Sequence, residues 1–169
     1  KLTTINATSA ATAFGANFLA ILRSNYPDAW EETLRGLMIH SASWTDEMKN
    51  QLEFDSKQTS IQRMLRMVGY GVPNLEKAVS SKTNYLTIIS EETIQPYKLE
   101  SGKGSTNEAF FYELPWPKEA LQDLGELGVT LRVTLSYFIE PNPGEKSYSS
   151  KYSYQSCALK FILMNPNDE

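Results

Sequence analysis

The sequence predicts an α+β protein, in which a helical half is followed by an antiparallel β-sandwich. Two observations lead to this fold class. The chain up to about Ala78 contains apolar and Ala-rich runs with helical spacing, the first ended by Pro27 and the last by a cluster of Gly and Pro. Beyond that point, β-branched and aromatic runs alternate with polar clusters that contain Gly or Pro. We therefore predict two domains, a helical one at residues 1–80 and a β-sandwich at residues 81–169.

The first two helices follow from start and stop signals. Residues 9–25 (SAATAFGANFLAILRSN) are apolar on nearly every face, which predicts a helix surrounded by protein and ended before Pro27. Asp28 and Glu31 resemble a capping box, which predicts a second helix at residues 29–40. The apolar side chains of this second helix fall on one face, as in an ordinary packing stripe.

Two further helices complete the predicted helical half. Thr45, followed by two acidic residues, has the pattern of a helix start. Apolar residues at helical spacing in residues 61–68 predict a fourth helix, and Gly69, Gly71 and Pro73 end it.

The second half has the composition of strands and turns. In residues 129–138 (VTLRVTLSYF) apolar and polar side chains alternate, which predicts a half-buried antiparallel strand. Residues 99–107 and 141–150 are predicted loops, the second as the tip of a long hairpin. The predicted strands are residues 85–89, 109–114, 129–138 and 152–163.

Composition excludes several classes of function. The net charge is −4 and no run of like charges occurs, so we expect neither nucleic acid nor a membrane as a partner. The apolar stretch at residues 14–22 is too short to span a bilayer. Cys157 is the only cysteine, which excludes an intramolecular disulfide and a thiolate metal site. We expect no cofactor or metal, and a reducing, cytoplasmic location is slightly favoured. The first residue is Lys1 rather than Met, so we expect that the true N-terminus lies upstream.

Ser9 is the candidate nucleophile. It stands where an extended start meets the first predicted helix, and a serine there is most simply an N-cap. A helix N-terminus also presents free N–H groups and a positive dipole end, which stabilise a developing oxyanion. Position alone leaves both roles open.

Three segments in order resemble the subtilases, the subtilisin-like serine proteases. Residues 7–13 (ATSAATA) are similar to the nucleophile pattern Gly-Thr-Ser-(Met/Ala)-Ala-x-(Pro/Ala) of that family. The family's second helix and its closing Gly-x-Gly turn are matched by residues 34–42 (LRGLMIHSA) and 69–74 (GYGVPN). The resemblance covers about residues 6–78. It continues more loosely in residues 114–117 and 131–143, which resemble the appended sandwich of a bacterial branch.

The resemblance implies a fold and a set of roles. The helical half would be the C-terminal portion of a subtilisin-like α/β domain, followed by a jelly-roll-like sandwich. Ser9 would be the attacking serine and its own N–H would contribute to the oxyanion hole, which Thr8 would support. Ala7 stands where the family has Gly, and its methyl group is expected to crowd a backbone of unusual dihedrals.

The other catalytic groups of the family would lie upstream. In subtilases the Asp and His precede the Ser, and none of the eight residues before Ser9 is Asp or His. The oxyanion Asn would also be upstream, since Asn6 is too close in sequence. His40 is a poor candidate for the base because it lies on a packing helix where the family has a structural residue. Ser9 also lacks the Gly-x-Ser-x-Gly elbow of α/β-hydrolases.

The resemblance therefore implies the C-terminal part of a serine endopeptidase, which we expect to be inactive alone. The expected partners are a peptide or protein substrate in the full-length protein and the N-terminal part of the same protein. A homodimer of the chain is a further expectation, because the apolar first helix needs a cover. The alternative is a non-enzymatic sandwich that binds a partner or stabilises a domain, with Ser9 only a helix N-cap.

Overall fold

The structure is a computed structural model that describes residues 7–81, 87–114, 117–138 and 158–164. It contains two compact units, one formed by Lys1–Ser90 with Val133–Phe138 and the other by Glu91–Arg132 with Ile139–Glu169. The described elements, in chain order, are α1 (Thr8–Asn25), α2 (Glu31–Ser41), α3 (Asp46–Gln51), α4 (Gln58–Val68), α5 (Leu75–Ser80), β1 (Tyr97–Glu100), β2 (Lys103–Thr106) and α6 (Lys118–Asp123).

The four predicted helices are confirmed, although α2 begins at Glu31 rather than at residue 29 and α4 begins at Gln58 rather than at residue 61. α2 begins after Trp30, which makes no side-chain cap, so the predicted capping box of Asp28 and Glu31 does not form. The reason is Arg23, whose guanidinium donates to the carbonyl oxygens of Pro27 (3.1 Å) and Ala29 (2.6 Å) and pairs with the Glu31 carboxylate. These contacts hold the connection between α1 and α2 in a turn. They also engage the Glu31 carboxylate, which the predicted capping box would use.

The later helices begin and end as their sequences indicate. Thr45 is the N-cap of α3, and its side chain accepts a hydrogen bond from the backbone N–H of Met48 at 3.3 Å. Asn74 caps α5 in the same way through the N–H of Lys77 at 2.8 Å. α4 ends at Gly69, which has a φ of 58°.

The core of the first unit lies between α1, α2 and α5. Its buried side chains are Phe18, Leu22, Tyr26, Leu34, Leu37 and Ala78. The Tyr26 hydroxyl lies 2.6 Å from the carbonyl oxygen of Val79 and 3.2 Å from that of Ala78. The end of α1 is therefore joined to the last turn of α5, more than fifty residues later in the chain.

A close backbone contact joins the end of α2 to the turn after α4. Ser43 and Val72 exchange two backbone hydrogen bonds, of 3.1 and 2.9 Å. Gly71 lies over this pair with a φ of 94°, and a β-carbon on it would be only 2.2 Å from the carbonyl oxygen of Ser43. The Trp44 indole N–H donates to the carbonyl oxygen of Gly69 at 2.9 Å. Packing therefore requires a glycine at position 71, in addition to the positive φ of that residue, whereas Gly69 has a positive φ without a close contact.

α1 is less enclosed than its composition predicts. Phe18 and Leu22 are buried, but residues 7–14 are all exposed and Phe14 is 76% exposed. The expectation of a helix surrounded by protein is therefore wrong for its N-terminal half in the described part of the chain. The reason is that the core side chains from α2 and α5 meet only its C-terminal half.

The second unit contains a short hairpin where a loop was predicted. β1 and β2 pair antiparallel, from Tyr97 opposite Thr106 to Glu100 opposite Lys103. The turn residues Ser101 and Gly102 have φ values of 52° and 77°, and two positive values are what a two-residue type I′ turn requires. The prediction of a loop over residues 99–107 is therefore wrong.

The β-sandwich itself is not shown. Within residues 87–89, 109–114, 129–138 and 158–163, which are the described parts of the predicted strands, no residue belongs to a strand. Neither α5 nor α6 was predicted. The proposed hairpin tip at residues 141–150 lies outside the described residues. The sandwich remains a prediction, while helices with a small antiparallel sheet are consistent with the α+β class.

None of the helices in the described ranges is both long enough and apolar enough to cross a membrane.

Candidate active site

Ser9 is the second residue of α1, and Thr8 is the first. The N-cap is Ala7, with φ −143° and ψ 119°, and its carbonyl oxygen accepts the first helical hydrogen bond from the N–H of Ala11 at 3.2 Å. The interpretation of Ser9 as an N-cap is therefore wrong, because a cap must precede the helical dihedrals that Ser9 already adopts.

The first turn of α1 presents unused donors. Ala7 has no side chain that could cap the turn, and no acidic residue lies in it. The N–H groups of Thr8, Ser9 and Ala10 find no acceptor among the residues that the structure describes. Together with the positive end of an 18-residue helix, these donors favour a negative charge placed over the turn.

The backbone at Ala7 is not strained. Its dihedrals lie in the ordinary extended region, which any residue with a β-carbon adopts. The crowding expected from a methyl group in place of the family's Gly is absent here. Ala7 instead leaves the turn uncapped, at a cost of about 1 kcal/mol relative to Ser, Thr, Asn or Asp.

Both predicted site residues are accessible. Thr8 and Ser9 are exposed, as is the rest of α1 up to Phe14. The side-chain hydroxyl that bonds within this region belongs to Thr12, which donates to the carbonyl oxygen of Thr8 at 2.9 Å. The Ser9 hydroxyl has no hydrogen bond to a base in the described part of the chain.

His40 is held elsewhere. It lies in the last turn of α2, and its Nδ1 is 2.9 Å from the hydroxyl oxygen of Thr134. This contact gives the imidazole a partner in packing, in keeping with the structural role predicted for it. Nothing in the described contacts brings His40 to Ser9.

The sequence analysis missed a second cluster, around Arg35. Its Nε donates to the Ser136 hydroxyl at 3.1 Å and its Nη2 donates to the carbonyl oxygen of Tyr137. The guanidinium carbon also lies 4.1 Å from the centre of the Phe138 ring. The available signal was Gly36, because a glycine inside a helix often marks a close backbone approach.

The shifted carboxylates belong to helix starts. Hydrogen bonds from its own backbone N–H and from Thr45 lower the pKa of Glu47, in the first turn of α3. Hydrogen bonds from Lys57, just before α4, lower the pKa of Asp55. Both side chains act in local structure. Within the described ranges, no group of three or more His, Cys, Asp or Glu side chains could hold a metal ion.

Comparison with known families locates the similarity. The model of the subtilase family matches residues 1–71. Residues 1–71 thus resemble a part of a subtilase. No curated protein and no solved structure matches the chain.

We call residues 1–71 the subtilase-like segment. The match supports a relationship of this segment to serine proteases. This segment contains the first turn of α1 and ends at Gly71, whose close contact with Ser43 was described above.

Proposed function

We propose that this chain is the C-terminal part of a subtilisin-like serine endopeptidase, in which Ser9 attacks the peptide bond. The observation that carries the proposal is the match of residues 1–71 to the subtilase family. The matched residues include Ser9, which is exposed in an uncapped first helical turn. Hydrolysis would follow the Ser/His/Asp mechanism, with Asp, His and the oxyanion Asn supplied by the N-terminal part of the same protein.

The arrangement of the first turn suits the tetrahedral intermediate. When the Ser9 hydroxyl oxygen adds to the substrate carbonyl, the carbonyl oxygen gains a negative charge. The N–H of Ser9 and the neighbouring donors at the positive end of α1 would stabilise that charge. Thr8 would support this oxyanion hole from the first position of the helix.

The chain alone is expected to be inactive. A base that removes the serine proton contributes about a hundredfold to ten-thousandfold to the rate. Ser9 has no such base among the described residues, and His40 is engaged with Thr134. The expected partners are therefore the N-terminal part of the protein and, in the complete enzyme, a peptide or protein substrate.

The exposed half of α1 supports the need for a cover. Burying the three quarters of Phe14 that are now exposed would stabilise a complex by about 1–2 kcal/mol. The N-terminal part would supply this cover in the complete protein, and a second copy would supply it for the chain alone.

A fluorophosphonate probe tests the proposal in the full-length protein. We expect labelling of Ser9, identified by peptide mass spectrometry, and loss of labelling in Ser9→Ala. Ser24→Ala is the matched control, because Ser24 is an exposed serine on the same helix whose hydroxyl donates to the carbonyl oxygen of Ile21. This control should keep full labelling.

Absence of labelling at Ser9 is the outcome that would count against the proposal. If the full-length protein contains upstream Asp and His segments and folds, yet Ser9 remains unlabelled, the protease proposal is refuted. The non-enzymatic alternative, a module that binds a partner or stabilises a domain, would then be favoured.

A further inference from the structure

The outer face of α2 is covered by a short segment from far along the chain. With about 100° of rotation per residue, Arg35, Gly36 and His40 lie within one arc of α2 whose centre is roughly opposite the midpoint of the buried Leu34 and Leu37. Residues 133–138, which we call the strap, make contact with this side. We infer that the outer face of α2 is a docking site for the strap, which fastens residues 133–138 to the helical part of the same compact unit.

The contacts of the strap alternate. Thr134 and Ser136 are partly buried against α2, while Val133 and Leu135 are 43% and 42% exposed. An alternation with a period of two indicates an extended course in which one face meets the helix. The sequence pattern assigned Thr134 and Ser136 to a solvent face, but here the polar side chains are the ones that dock.

The spacing of the contacts matches on both sides. His40 contacts Thr134, and Arg35 contacts Ser136, so the strap runs antiparallel to α2. Five residues of helix rise about 7.5 Å, and two residues of extended chain rise about 6.6 Å. The two pairs can therefore form together without distortion, which distinguishes a fitted surface from a single chance contact.

Two features make the site selective for its occupant. The Arg35 guanidinium binds a hydroxyl and a carbonyl oxygen at once and also lies on the Phe138 ring, a combination that a lysine ammonium does not reproduce. Gly36 lets the strap approach closely, because a β-carbon there would lie 3.3 Å from the β-carbon of Ser136. An extended segment with small polar residues at alternate positions and an aromatic residue at its end fits this surface.

The first test measures the approach at Gly36 by thermal unfolding of the full chain. Gly15→Ala is the control, because its new methyl group would lie 3.7 Å from the flexible end of Met38. We expect this control to raise Tm by about 2–8 °C through better helix propensity. Gly36→Ala should give a smaller gain or a loss, and the full gain should return when it is combined with Ser136→Gly.

If Gly36→Ala raises Tm as much as Gly15→Ala does, and does so whether residue 136 is Ser or Gly, the strap does not dock there and the inference is overturned.

The second test measures release of the strap. Arg35→Ala should increase the rate at which a nonspecific protease cleaves within residues 129–138 by about tenfold, which corresponds to roughly 1.4 kcal/mol of lost docking. Arg66→Ala is the control, since Arg66 is an exposed helical arginine without a hydrogen bond or ion pair to any described residue. Equal cleavage rates in the two variants would refute the docking, whereas faster cleavage in Arg35→Ala alone supports it.

Discussion

Replacing Gly71 by Ala tests whether packing against Ser43 requires a glycine at this position. Gly71 has a φ of 94°, and a residue with a β-carbon in the left-handed region costs roughly 1–2 kcal/mol. The new methyl group would also lie 2.2 Å from the Ser43 carbonyl oxygen, where ordinary contacts begin at 3.4 Å. The turn would have to shift by about 1 Å, which weakens two backbone hydrogen bonds worth about 0.5–1.5 kcal/mol each. We expect Gly71→Ala to lower the free energy of unfolding by about 2–5 kcal/mol.

Gly69→Ala provides the matched control. Gly69 also has a positive φ, of 58°, but nothing lies within 4 Å of the position its β-carbon would take. This variant should lose only the backbone strain of its dihedrals (φ 58°, ψ −136°), roughly 1–3 kcal/mol. Urea unfolding followed by the far-ultraviolet circular dichroism of the helices measures both losses. Equal losses in the two variants would refute the argument from the contact with Ser43.

Three further predictions concern association, pH and the core. The chain alone should form a dimer at micromolar concentration, as measured by size-exclusion chromatography with light scattering. Phe14→Asp should shift the dimer to monomer. A monomeric wild type would contradict this prediction. Because hydrogen bonds from Lys57 lower the pKa of Asp55 in the folded state, its stabilising contribution is full at neutral pH and is lost as the pH falls through that lowered pKa. The urea midpoint should therefore fall less between pH 7 and pH 2 in Asp55→Asn than in the wild type, and identical pH profiles would count against it. Tyr26→Phe should cost about 1–2 kcal/mol through loss of the bond to the end of α5, while Tyr70→Phe, at a 60% exposed tyrosine, should cost nothing measurable.

Local signals in the sequence predict local structure well in this chain. The Thr45 cap, the stop at Gly69 and the apolar spacing of residues 61–68 depend on neighbours within one or two turns, and the structure confirms them. The Ser101-Gly102 turn carried an equally local signal, because Ser-Gly pairs mark turns. The loop composition around it concealed the four-residue strands on either side.

Contacts between residues far apart in the chain could not be predicted from these local signals. The capping box at Asp28 failed because Arg23 engages the connection between α1 and α2. The contact of Arg35 with Ser136 joins residues about a hundred positions apart, and no periodicity encodes it. Alternation in residues 129–138 identified two faces correctly but could not indicate which face would meet a helix.

The candidate site shows the same division. The motif placed Ser9 at the start of α1, and the structure puts it within one residue of that point. The uncapped state of the turn depends on the side chain of Ala7 and on which residue first adopts helical dihedrals. Single-residue differences of that kind are below the precision of boundaries read from a sequence.

Docking of the strap on α2 has a consequence for the timing of synthesis. Helices form within microseconds, but translation proceeds at about 5–20 residues per second. The ribosome must add Glu91–Arg132 before the strap can emerge, a delay of about 2–8 seconds. Throughout that interval Arg35, Gly36 and His40 face water or a chaperone. The outer face of α2 therefore stays uncovered in each newly made molecule until the strap has been synthesised.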